Sequence, residues 1–130
     1  MITMNGSQMR VEEKYNFTDR TYDQLIVELL QDVKTGDLGW FYHVDCERLM
    51  WMYCPETRAD PPRIIYSIKW QQFKPHVLSL IESDGWHRCN ICPKGYGLTL
   101  NYPVKWQPLL DMGIAMCFEY ADIIAQMELL

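Results

Sequence analysis

Thr21-Tyr-Asp-Gln-Leu-Ile-Val-Glu-Leu-Leu-Gln-Asp-Val-Lys-Thr-Gly36 is the stretch on which the fold turns. Thr21 and Gln24 have the spacing of a capping box, in which each side chain satisfies a backbone N–H left free by the first helical turn. Tyr22, Leu25, Ile26, Leu29, Leu30 and Val33 fall on one helical stripe, and Gly36 can end it. The expectation is an amphipathic helix from Tyr22 to Thr35 whose apolar face packs on a sheet.

On the N-terminal side, Met9 to Phe17 places Val11, Tyr15 and Phe17 on one parity, which predicts a half-buried strand. Residues 1–8 precede it as a flexible N-terminus. On the C-terminal side the period changes to two: Leu38, Trp40, Tyr42 and Val44 alternate with Gly39, Phe41, His43 and Asp45. The apolar run Leu49 to Tyr53 reads as a hairpin partner for that strand, with a helix over Glu47 to Tyr53 as the alternative. Pro55, Pro61 and Pro62 bracket a polar surface loop over residues 56–60. Ile64, Tyr66, Ile68 and Trp70 alternate again and predict a further strand.

Proline is best tolerated at a helix start, so Pro75 is expected to open a short helix that ends at Gly85. Trp86 to Cys92 and Leu98 to Tyr102 flank Pro93-Lys-Gly-Tyr-Gly97 and predict a hairpin. Pro108 opens a long helix reaching the C-terminus, with Asp111, Glu119, Asp122 and Gln126 as one narrow polar stripe. The fold class is therefore α+β: one domain over residues 1–130, with a mostly antiparallel sheet of five or six strands. That sheet packs against the N-terminal amphipathic helix and the buried C-terminal helix.

The chain has 130 residues, 48% of them hydrophobic, with five Trp, eight Tyr and eight Met, a composition that buries a core and excludes a disordered chain. The N-terminus lacks a basic region leading into an apolar one, so the expected location is the reducing cytoplasm, with no membrane segment. There the five cysteines read as free thiols or metal ligands. Cys89 and Cys92, with His87 upstream, could contribute to a zinc knuckle, but a structural site needs four ligands and no second pair supplies them. No cofactor is therefore expected, with zinc as the alternative. A Cys-x-x-Cys redox pair normally lies at a helix N-terminus, whereas Pro93, Gly95 and Gly97 point to a turn. His43, Asp45 and Cys46 could form a thiol dyad with a carboxylate only if the backbone brings them to one side. Nucleotide-loop, nucleophile-elbow and His-Glu-x-x-His patterns are missing.

Charge is uneven: net −5 over residues 1–60, +4 over 61–106 and −4 over 107–130. The basic middle interleaves Lys69, Lys74, Arg88, Lys94 and Lys105 with aromatics, a pattern that can follow a phosphate backbone and stack on bases. Helix, glycine, strand, turn and strand over Pro75–Tyr102 resemble the recognition helix and wing of winged helix-turn-helix proteins. That resemblance would put Lys74, His76 and Lys94 on phosphate and Trp86 at the wing base. The strand pattern before Pro75 departs from it.

The leading expectation is a non-catalytic binding protein of adaptor, inhibitor or immunity type, acting on another protein through Trp40, Phe41, Tyr42, Met50, Trp51 and Met52. If both strands carrying them are half-buried, Phe41, Met50 and Met52 face outward, and exposed apolar patches mark binding surfaces. Nucleic-acid binding through residues 61–106 is the second reading, with a zinc-stabilised hairpin as an option, and a thiol-dependent enzyme the third. The chain is expected to be a monomer, or a homodimer joined through the C-terminal helix.

Overall fold

A computed structural model describes residues 2–4, 7–57, 60–85 and 88–122, with side chains described from Met9 onward. The protein is a mixed α+β fold built on two four-stranded sheets. β1 (Ile2–Met4) and β2 (Ser7–Met9) form a separate two-stranded ladder at the start. The first main sheet has the order β10-β7-β6-β3, from β3 (Val11–Phe17), β6 (Arg48–Cys54), β7 (Ile64–Lys69) and β10 (Ala115–Glu119). β3 and β6 run parallel, and the other pairs are antiparallel. The second has the order β5-β4-β9-β8, from β4 (Gln24–Asp32), β5 (Asp37–Leu38), β8 (Asn90–Lys94) and β9 (Gly97–Lys105), all antiparallel.

The expected Tyr22–Thr35 helix is replaced by β4. Leu25, Val27 and Leu29 are buried while Ile26 is 40% exposed, so the operative period is two. Leu25 and Leu29 satisfy a helical stripe and a strand alternation equally; Val27 decides between them. Pairing with β9 on one side and β5 on the other supplies ladder hydrogen bonds that an isolated helix would have made internally. Gly36 ends the element as expected, but at a hairpin: φ is +78° and its N–H donates to Asp32 O at 2.9 Å.

The expected strand over Leu38–Val44 is also corrected. Only Asp37–Leu38 pairs, and Trp40–His43 form α1, a single helical turn that buries Phe41 completely. β6 consequently pairs not with that segment but with β3 and β7. Arg10 sets the parallel register: its carbonyl accepts from the N–H groups of Glu47 and Arg48, and its own N–H donates to Glu47 Oε2 at 2.6 Å. β3 itself is present, with Lys14 and Asn16 turned inward and Tyr15 and Phe17 outward.

α2 spans Trp70–Asp84, starting directly from β7, so Pro75 lies in its second turn rather than at its start. Trp70, Phe73, Val77 and Ile81 bury the inner stripe, which holds the helix against the core despite the missing donor. Gly85, at φ +79°, ends the helix as expected. The element leading directly into α2 is strand β7, and the earlier α1 is a single turn separated from α2 by β6 and β7, so the winged-helix order is not matched. The β8–β9 hairpin is present. Pro93 sits on β8, an edge strand, where a lost donor is tolerated.

The long C-terminal helix is not formed. α3 stops at Asp111, Gly113 turns the chain at φ +72°, and Ala115–Glu119 become edge strand β10. A dimer through that helix therefore loses its basis; Gln126 of the expected polar stripe lies outside the described residues. The core lies between the inner face of the first sheet, α2, α3 and the Leu25/Val27/Leu29 face of the second. Trp106 and Tyr66 stack at its centre with ring centroids 3.7 Å apart and planes 6° from parallel. Among the described residues no helix is long and apolar enough to cross a membrane.

Candidate functional site

Where the two sheets splay apart they leave an open groove of about 570 Å³. Strand parity builds one wall: with Leu25, Val27 and Leu29 inward, Gln24, Ile26 and Glu28 face the groove, beside Asn101, which pairs with Glu28 in the ladder. The facing wall is the inner side of the first sheet, with Asn16, Trp51 and Tyr53. Trp40 of α1 and Tyr22, just before β4, close the ends, and Lys94 and Tyr96 reach over from the β8–β9 hairpin.

The aromatic rings meet at open angles. Trp40 and Trp51 are 5.9 Å apart at 44°, and Tyr22 and Tyr53 are 6.2 Å apart at 43°. Lys14 holds its ammonium 4.9 Å above the Trp40 ring, a cation over the negative face of an indole. The Tyr53 hydroxyl accepts from Trp106 Nε1 at 3.3 Å. Burial raises the Tyr53 phenol pKa against the lowering pull of the Trp106 and Trp51 indoles. Trp51 Nε1 is nonetheless buried without an acceptor at hydrogen-bond geometry.

The amides on the walls have a determined orientation. Asn16 Nδ2 donates to Met52 O at 3.3 Å, and a carbonyl can only accept. Thr99 donates its hydroxyl proton to Cys92 O at 3.1 Å, so it must accept from Asn101 Nδ2, 2.8 Å away. Each amide nitrogen thus donates to the protein, Asn101 Nδ2 with both N–H groups and Asn16 Nδ2 with one. Tyr96 donates to Glu28 Oε2 at 2.9 Å, and this bond to a carboxylate raises the Tyr96 phenol.

Of the residues expected to bind a partner, the groove unites Trp40 and Trp51. Phe41 is fully buried in the core, which corrects the expectation that it faces outward. Tyr42 is half-buried, edge-on to Phe41 at 5.1 Å, with Lys74 Nζ 5.7 Å from its ring. Met50 and Met52 lie on the opposite face of the first sheet, as parity requires, but Met52 is only 7% exposed. It is flanked in register by Tyr15 and Ile65, which leave it little surface. Sequence reasoning missed Asn16, Tyr22, Gln24, Glu28, Tyr96 and Asn101. The alternation Gln24/Ile26/Glu28 was their one local signal.

The basic residues of the middle segment do not form one stripe. Lys94 lines the groove, Lys74 sits against α1, and Lys69 immediately precedes α2. Lys105 and Arg88 line a second depression of about 190 Å³, where Arg88 pairs with Asp84 at 3.4 Å.

Cys89 immediately precedes β8 and Cys92 is its middle residue, and His87 lies outside the described residues. Among the described residues no group of three or more His, Cys, Asp or Glu could hold a metal ion. Burial raises the Cys89 thiol, the reverse of an activated nucleophile. The His43/Asp45/Cys46 arrangement does not assemble as a thiol dyad: His43 Nε2 lies 3.2 Å from Leu38 O, and Asp45 pairs with Arg10 at 2.7 Å. Burial pushes the Cys46 thiol up to about 11. No family model, curated protein or solved structure matches the chain.

Proposed function

We propose that this protein is a non-catalytic binding protein that takes a segment of another protein into the groove between its sheets. The observation that carries this reading is a solvent-open cavity of about 570 Å³ walled by Trp40, Trp51, Tyr22, Tyr53 and Tyr96. Trp and Tyr dominate the energetics of interfaces because they bury large areas at low entropic cost and keep a polar handle. The described wall contains neither Cys nor His, so the nucleophile and base of a thiol enzyme would have to come from elsewhere.

Site-specific photocrosslinking in cells of the source organism tests the proposal. A benzophenone side chain at Ile26, 40% exposed on the groove wall, is expected to capture a protein, whereas one at Leu78, 41% exposed on α2, is not. Trp40→Ala is expected to abolish the Ile26 adduct. Equal capture from both positions, or an adduct indifferent to Trp40→Ala, overturns the reading.

A further inference from the structure

We infer that the occupant of the groove is a positively charged side chain, specifically an arginine on a segment of the partner protein. The inference rests on the groove being the docking site and adds what the site selects.

Three observations converge on a cation. Asn16 and Asn101 turn their amide nitrogens to Met52 O and Thr99 Oγ1, and their Oδ1 atoms accept no hydrogen bond among the described residues, which leaves those oxygens open to a donor. Asn101 is only 7% exposed, lines the groove, and its Oδ1 makes no hydrogen bond among the described residues. Glu28 gives one carboxylate oxygen to Tyr96 and keeps the other. The wall therefore offers acceptors where a donor-rich ligand would enter.

The aromatic faces add the second requirement. Their quadrupoles attract cations; the Trp40 ring already holds the Lys14 ammonium at 4.9 Å, which leaves the rings of Trp51, Tyr22 and Tyr53 for an incoming one. Arginine suits the combination better than lysine: its planar guanidinium stacks on a ring while its edge donates to several acceptors at once. The chain also carries a net charge of −5, which favours the approach of a basic partner.

Lys14, already over Trp40, and Lys94 oppose an incoming cation. Lys94 lines the groove but is exposed on the hairpin, where a flexible stem lets its ammonium turn to water. It counts as a rim charge that weakens binding of any cation and whose removal strengthens it.

The test uses the full chain and two short peptides that differ only in arginine against citrulline, which has nearly the same shape without the charge. Titration is followed by the indole N–H resonances of Trp40 and Trp51. The arginine peptide is expected to shift both saturably and to bind roughly tenfold more tightly than the citrulline peptide. Glu28→Gln should weaken the arginine peptide by roughly tenfold, and Lys94→Met should tighten it several-fold, about the effect of one partly screened charge. Citrulline binding as tight as arginine, or Glu28→Gln without effect, overturns the cation inference and leaves the groove reading standing. Failure of the arginine peptide to move the indoles, with Ile26 still crosslinking a partner, overturns the inference in the same way. Loss of that crosslink as well removes both.

Discussion

Tyr96, at the tip of the β8–β9 hairpin, donates its hydroxyl to Glu28 on β4 at 2.9 Å, joining positions 68 residues apart in sequence. The same end of the hairpin is docked by Val33 N–H donating to Leu98 O at 2.9 Å and by Leu98 N–H donating to Asp32 Oδ1 at 3.4 Å. Both partners of the Tyr96–Glu28 bond are solvent-accessible, so its energetic value is small and its value is positional. Tyr96→Phe should leave global stability unchanged within about 0.5 kcal/mol. Amide exchange at Tyr96 and Gly97 should accelerate while that of β4 stays put; unchanged hairpin exchange would mean that the backbone bonds alone fix the tip.

Two glycines near β4 serve for different physical reasons, and a pair of substitutions separates them. Gly39 has an ordinary φ of −81°, but a Cβ there would lie 2.4 Å from Glu28 O, on a backbone that cannot retreat because Gly39 N–H donates to Leu29 O at 2.9 Å. Gly36 has open space around it and a φ of +78°. Gly36→Asn should therefore cost less than about 1 kcal/mol, because Asn tolerates the left-handed region. Gly39→Ala should cost about 1–3 kcal/mol or more by overpacking. Urea denaturation of the two variants measures both, and a Gly39→Ala protein as stable as the parent would mean that α1 is free to shift away from β4.

What the sequence revealed follows from how local each determinant is. β3, β7 and the β8–β9 hairpin were legible because alternation and turn residues lie within the element; Gly85 was legible as a stop because its conformation is its own. β4 was not, because Leu25 and Leu29 fit a two-residue period as well as a 3.6-residue one while Ile26 and Leu30 extend the helical stripe, and the pairing with β9 that favours the strand lies 70 or more positions away. The C-terminal segment misled for a related reason. An apolar run broken by Gly113 reads as a buried helix until the free edge of β7 recruits Ala115–Glu119 as a strand. Trp40 and Trp51 stood out as site residues by type. Their partners Asn16, Glu28, Tyr96 and Asn101 are ordinary polar residues that become a site only through tertiary contact.

The Trp106 ring joins the groove to the core, stacked 3.7 Å from Tyr66 and donating Nε1 to the Tyr53 hydroxyl at 3.3 Å. Trp106→Ala should destabilise by about 3–5 kcal/mol through cavity formation. Trp106→Phe retains a ring for the stack but leaves Tyr53 without its donor, so a smaller loss of about 1–3 kcal/mol is expected. Denaturant melts of the two variants order the effects; equal losses would show that the hydrogen bond to Tyr53, not the volume, dominates.

Alkaline pH should destabilise the protein, with the largest contributions from two buried acids. Burial lifts the Cys46 thiol from 9.0 to about 11 and the Tyr66 phenol from 10.0 to about 12. In the unfolded chain each group loses its proton at the lower value, so the folded state binds the extra protons and stability falls as pH rises. The Cys46 contribution is intact below pH 9 and is lost as pH climbs to about 11; the Tyr66 contribution is lost between pH 10 and about 12. Each is on the order of 2 kcal/mol. Denaturation midpoints measured from pH 7 upward should be insensitive to these two groups until about pH 9 and then drop. Cys46→Ala removes the largest thiol contribution and should make the fall between pH 9 and about 11 shallower, with the smaller upward shifts of Cys54, Cys89 and Cys117 and the phenol step remaining, whatever its own packing cost at neutral pH. A parent and a Cys46→Ala variant whose midpoints decline in parallel from pH 9 would exclude the Cys46 thiol as a source.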